Sequence, residues 1–154
     1  MLYLDASALA KRYFAETGSD ALLGRLRQGD KVYTSALSYA ELLAAFGRKL
    51  RDGILAQDEF DSLFDRLTRD WTFLWNVLEV DLSTMSWVRV IVSQHSVRGA
   101  DAIHLSTALW LGNTIRLAPE YAAGETKLEF GVADKSLARI AGQYGLSVFD
   151  PENP

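Results

Sequence analysis

Leu2-Tyr3-Leu4-Asp5-Ala6-Ser7-Ala8-Leu9 opens the chain with a short apolar run, one acid, and then a helical pattern that extends the apolar spacing over 6–14. A strand that runs straight into a helix, with an acid at the junction, is the opening of an α/β unit. The same alternation recurs downstream. Helical patterns are expected over 19–28, 35–51, 57–71, 83–95, 100–111 and 134–143, with strands over 32–34, 75–80, 127–132 and 146–149. Strands that alternate with helices imply a small parallel β-sheet flanked on both faces by helices. No repeat or linker divides the sequence, so residues 1–154 read as a single domain.

Composition narrows the chemistry. The 154 residues are 49% hydrophobic and 23% charged, and they include no cysteine and two histidines, His95 and His104. Thiol catalysis, iron–sulfur clusters and cysteine zinc sites are excluded, and any metal must be held mainly by oxygen. A net charge of -4 argues against a protein that coats nucleic acid through bulk electrostatics, but not against a nuclease, whose carboxylates attract a metal first. The N-terminus lacks a basic, cleavable leader pattern and no apolar run approaches a membrane span, so a cytoplasmic protein without membrane contact is expected. Phosphate-loop, dinucleotide and nucleophile-elbow motifs are absent.

Ligands of open α/β sheets gather beyond the carboxyl ends of the strands. Asp5 and Asp134 follow the first and fourth expected strands, and Asp81 follows the third. Each is also a favoured helix N-cap, and capping alone accounts for Asp81. Asp101 opens an almost wholly apolar helix, on the side of Leu105 and Ala108, which turns its carboxylate inward with Arg98 as a candidate partner. Glu41 stands opposite the Tyr39/Leu43/Phe46 stripe, beside alanines small enough to let another element approach. His104 reads as a satisfied core histidine. Ser7 either steadies an acid or satisfies the helix start. If Asp5, Glu41, Asp101 and Asp134 converge, their mutual repulsion calls for a hard divalent cation, and oxygen donors favour Mg²⁺ or Mn²⁺. Such a site suits phosphodiester hydrolysis.

Three segments carry a resemblance. Tyr3 to Leu9, Thr34-Ser35-Ala36-Leu37 leading to Ala40-Glu41-Leu42, and Arg98-Gly99-Ala100-Asp101-Ala102-Ile103-His104-Leu105 through Leu109 resemble PIN domains, and more narrowly the VapC toxin ribonucleases. The resemblance runs from Leu2 to about Phe149. It implies an Mg²⁺- or Mn²⁺-dependent endoribonuclease that forms a homodimer and is inhibited by a VapB-type antitoxin. Asp5, Glu41, Asp101 and Asp134 match its acidic residues, with Asp5, Asp101 and Asp134 as metal ligands and Ser7 in support. Lys11, Arg12, Arg48 and Arg98 are candidate RNA contacts. Two departures stand out: Val132 takes the place of the family's usual Thr or Ser two residues before the last Asp, and the stretch 112–129 is long. The first leaves open a catalytically weak module that binds RNA or protein. A phospho-accepting signalling domain is a third class, poorly served because Lys135 is the one lysine near Asp134.

Overall fold

In the computed structural model, residues 1–118 and 127–154 are described. The elements in chain order are β1 (Leu2–Leu4), α1 (Ala6–Ala10), α2 (Ser19–Leu26), β2 (Val32–Ser35), α3 (Leu37–Arg51), α4 (Gln57–Phe73), β3 (Asn76–Leu78), α5 (Val88–Gln94), α6 (Gly99–Leu117), β4 (Glu129–Gly131), α7 (Lys135–Gln143) and β5 (Ser147–Phe149). The five strands form one sheet in the order β3-β2-β1-β4-β5, and every pairing is parallel. The α/β expectation of a small parallel sheet between helical layers holds.

Alternation along β1 divides the core. Leu2 and Leu4 face one layer with Leu9, Leu22, Leu42, Phe46, Leu67 and Trp75. Tyr3 faces the other, with Leu105, Leu109, Phe130, Val132, Leu137 and Ile140. Successive strand residues point to opposite faces, so three residues of a central strand anchor both halves. Gly131 pairs with Leu4, and a Cβ there would lie 2.5 Å from Leu4 Cδ2. Glycine is what lets the Leu4 side chain lie flat over β4.

The chain winds from β1 outward to β3, then crosses back to place β4 against the other side of β1. The strand order therefore reverses between β1 and β4, and a crevice opens beyond their carboxyl ends. Asp5 leaves β1 and Asp134 follows β4 at that point.

Three element boundaries differ from the sequence expectation by more than two residues. The helix expected over 83–95 forms only from Val88, because the preceding backbone folds into turns held in part by side chains. Asp81 accepts from the Ser83 and Thr84 amides, Thr84 Oγ1 donates to the Glu79 carbonyl, and the Trp87 amide donates to Ser106 Oγ. The first helix ends at Ala10 and continues as tighter turns to Phe14, where the Lys11 side chain turns inward. Helix α6 instead runs past 111 to Leu117, keeping Leu111 and Ile115 buried on its inner face. The rest of the long stretch includes 119–126, which lie outside the described residues.

Candidate active site

Asp5 caps α1, accepting from the Ala8 amide at 2.9 Å. Ser7 Oγ lies 2.8 and 2.9 Å from its two carboxylate oxygens and donates to them. The same hydroxyl accepts from the Ala133 amide at 3.0 Å, so Ser7 ties the β1–α1 turn to the turn that carries Asp134. Asp5 is only 4% exposed. Burial pushes its pKa up to about 6, opposed by the neighbouring His104 ring and the bonds from Ala8 and Ser7, and reinforced by Glu41.

Glu41 sits in α3, whose entry is fixed by Thr34. That hydroxyl donates to the Leu4 carbonyl and contacts Ser38 Oγ, each at 2.8 Å. Glu41 Oε2 lies 2.6 Å from Nε2 of the buried His104 on α6, and Nδ1 of His104 lies 3.0 Å from the Tyr3 hydroxyl. Asp5, Glu41 and His104 thus form one electrostatically coupled group at the carboxyl end of β1.

Asp101 and Asp134 form a second. They share a cleft of about 200 Å³ with Ser96, Val97, Arg98, Ser136 and Leu137. Asp134 caps α7 by accepting from the Leu137 amide at 2.8 Å. Arg98 grips Asp101 with two hydrogen bonds, of 2.9 and 3.1 Å. Its pKa is raised by the Asp101 hydrogen bonds first, and also by the charges of Asp134 and Glu41. Asp5 at the end of β1 and Asp134 after β4 are tied together through Ser7, which bonds Asp5 and the Ala133 amide. Asp81, by contrast, is exposed and spent on its own turn.

Among the described residues no three Asp, Glu or His side chains stand close enough, as placed, to enclose an ion. The four acids meet at one sheet edge as two couples. The donor set nonetheless fits a hard cation. Asp5 is a buried carboxylate whose pKa burial raises, and Asp101 is already paired with a cation, the Arg98 side chain, which is 79% exposed.

Two of the candidate RNA contacts require correction. Lys11 is 3% exposed, and its ammonium bonds to Glu152, the Thr17 carbonyl and Glu16 at 2.7, 2.7 and 3.3 Å. Burial disfavours that charge, but the two carboxylates outweigh it and the pKa is raised. Arg12 is committed to Asp70 through two hydrogen bonds and lies over the Trp75 ring. Both are structural cations, Lys11 buried and Arg12 only partly so. The C-terminal segment completes the Lys11 contact, and it fits because Gly18, at φ +88°, leaves room where a Cβ would meet the Pro151 carbonyl oxygen at 2.7 Å. Arg48 is exposed two turns beyond Glu41 on the same face of α3, and Arg98 lines the cleft of Asp101 and Asp134.

Val132 is fully buried beside Tyr3, Phe130 and Leu137. Its methyls fill core space, and the hydroxyl next to the acids comes from Ser7. Tyr3 and the functional face of His104 escaped the sequence reading. The available signal was an imidazole one helical turn after Asp101, on a helix with no other buried charge-bearing side chain.

Comparison with known proteins agrees with this fold. Ribonuclease VapC45 of Mycobacterium tuberculosis (strain CDC 1551 / Oshkosh) is 33% identical over 117 residues, which is 73% of this chain and 78% of that protein. FitAcB from Neisseria gonorrhoeae superposes with a TM-score of 0.66 at 19% identity, covering 98% of each chain. VapBC2 from Rickettsia felis, solved on a DNA fragment from its promoter, gives 0.64 at 11% identity, covering 97% of this chain and 98% of that one. The PIN domain family matches residues 2–149. With the parallel sheet, the acids at its switch point and that near-complete match in agreement, the chain belongs to the PIN domain family.

Proposed function

We propose that this protein is a metal-dependent endoribonuclease, acting in the cytoplasm as the toxin of a VapBC-type pair. The reading is supported by Asp5 and Glu41 near the end of β1, linked by Ser7 to the turn before Asp134, by Asp101 and Asp134 lining one cleft, and by a chain 33% identical over 117 residues to a named ribonuclease. Asp5, Asp101 and Asp134 would hold Mg²⁺ or Mn²⁺. A divalent ion there supplies Lewis-acid polarisation of a phosphodiester and offsets the crowding of carboxylates.

The chain's own residues do the rest. Glu41, held by His104, is the carboxylate placed to accept a proton from an attacking water. Ser7 fixes the Asp5 carboxylate against the Ala133–Asp134 turn. Arg98 covers Asp101 in the resting protein and, together with Arg48, presents positive charge to an RNA backbone when it swings out. A VapB-type antitoxin is the proposed protein partner, supported by VapBC2 among the structural relatives. A homodimer is proposed as the working assembly, to be checked by light scattering.

Protein purified free of any partner is expected to cut RNA with Mg²⁺ or Mn²⁺, to stop in EDTA, and to lose at least about a hundredfold in rate on Asp101→Asn. Undiminished cleavage by Asp101→Asn would remove that residue from the site. RNA retention without cleavage at any metal concentration would instead favour the catalytically weak binding module that Val132 leaves open.

A further inference from the structure

His104 lies on the inner face of α6, one turn beyond Asp101, and is 2% exposed. A buried imidazole needs partners for both ring nitrogens. Here neither partner is backbone: Nδ1 meets the Tyr3 hydroxyl and Nε2 meets Glu41. The protons can be assigned from those partners. An ionised carboxylate only accepts, so Nε2 carries the hydrogen. Burial raises the Tyr3 phenol pKa well above its ordinary value, so the phenol keeps its proton and donates it to Nδ1. The result is a directed chain, from Tyr3 through His104 to Glu41.

Each link is buried except the last. Tyr3 is fully buried in the middle of β1, with its ring stacked on Phe130 at 5.7 Å and 24°. Its ring also meets His104 edge-on at 6.2 Å. Glu41 is about one-third exposed, and among the described residues this is its one side-chain hydrogen bond. An unheld glutamate of that exposure would sample several rotamers, at a cost of up to about 2 kcal/mol to order. A histidine needed only for packing would be equally well replaced by an apolar residue on a helix whose neighbours Leu105, Ala108 and Leu109 are all buried. Its one donor is instead spent on a carboxylate at the open edge of the site.

We infer that His104 is a positioning residue, which with Tyr3 behind it holds the Glu41 carboxylate in a single orientation beside Asp5. The kinetic part of this inference rests on the ribonuclease reading above. The hydrogen-bond part does not.

The test compares His104→Phe, His104→Gln and Tyr3→Phe, alone and combined with Glu41→Gln. His104→Phe is expected to lower kcat about ten- to hundredfold while KM stays within about twofold. His104→Gln, whose amide N–H can still reach Glu41, should recover most of that loss. In the Glu41→Gln background none of the three should change the residual rate further, because residues acting as one unit are non-additive. Losses that multiply with Glu41→Gln, or that follow the melting temperature and are equal for Phe and Gln, overturn the inference. Nitrogen NMR of the imidazole gives a reading that needs no cleavage. The wild type should show the Nε2–H tautomer with an exchange-protected proton, whose resonance shifts upfield in Glu41→Ala. An Nδ1–H tautomer, or a resonance indifferent to Glu41→Ala, overturns the inference even if RNA is cut. If the NMR result holds and the wild type cuts no RNA, the ribonuclease reading falls and His104 positions Glu41 for some other task.

Discussion

The two halves of the crevice solve the same electrostatic problem in opposite ways. Around Asp5 and Glu41 the charge is enclosed: the buried Asp5 carboxylate takes a hydroxyl from Ser7 and an amide from Ala8, Glu41 is met by the His104 imidazole, and each donor is anchored in a helix start or the core. Around Asp101 and Asp134 it is open: the cleft holds about 200 Å³ and the compensating cation is an exposed arginine on its own tether. The enclosed half is preorganised, at a cost in stability. The open half is cheap to form and can exchange its cation. A site that must admit both an ion and a long polyanion needs one half of each kind.

Asp5→Asn tests the enclosed half with the largest expected effect. Asparagine keeps an acceptor for the Ala8 amide, and Ser7 can donate to its oxygen or accept from its nitrogen. The charge alone is lost. RNA cleavage should disappear while the protein becomes more stable. The shift from 3.8 to about 6 means that the folded state favours the protonated acid, by up to about 3 kcal/mol. The sign follows directly. Below pH 3.8 the group is neutral folded or unfolded and contributes nothing. Between 3.8 and 6 the unfolded chain ionises and the folded one resists, so wild-type stability falls, and above 6 the whole penalty is present. Melting in EDTA across pH 4 to 7 should show the wild type and Asp5→Asn coinciding at the acid end and separating in favour of the variant toward neutrality. A variant less stable at pH 7 would mean that the enclosed half is not under strain.

Arg98→Ala tests the open half, and its effects are smaller. An exposed guanidinium–carboxylate pair contributes about 0–1 kcal/mol, so the melting temperature should barely move. Removing the tethered cation should let Mn²⁺ bind several-fold more tightly, measured by calorimetry, and should weaken RNA retention in EDTA by a similar factor. If Mn²⁺ binding instead weakens, Arg98 helps to shape the site, and the contrast between the two halves is less sharp.

Much of this contrast was hidden in the sequence for physical reasons. The order of strands and helices, and the placing of Asp5 and Asp134 at strand ends, follow from local patterns such as Leu2-Tyr3-Leu4-Asp5. What local pattern cannot show is which long-range partner a polar side chain finds. Lys11 looks like any basic residue at the end of a short helix until Glu152, from the far end of the chain, closes on it. His104 looks like a core histidine, and it is one, but its outer nitrogen meets Glu41 only because α3 and α6 flank β1 together. The 83–87 segment carries helical spacing, yet Thr84 and Ser106 supply side-chain bonds that compete with the helix.

Val132 brings the comparison down to a single methyl group and the smallest expected effect. The sequence casts it as a missing hydroxyl near Asp134, which makes Val132→Thr an apparent repair. In the folded chain its side chain is fully buried against Phe130 and Leu137, on the Tyr3 face of the sheet. A threonine there would place a hydroxyl among apolar neighbours, at a cost of about 1–3 kcal/mol unless it finds a partner. Ser7 already bonds both Asp5 and the Ala133 amide, so the enclosed half lacks no donor. Val132→Thr should therefore melt lower and cut RNA at the parental rate, whereas Ser7→Ala should melt near the parent and cut several-fold more slowly. A threonine variant that gained activity would show that the turn before Asp134, and not Ser7, limits how firmly the two halves are held together.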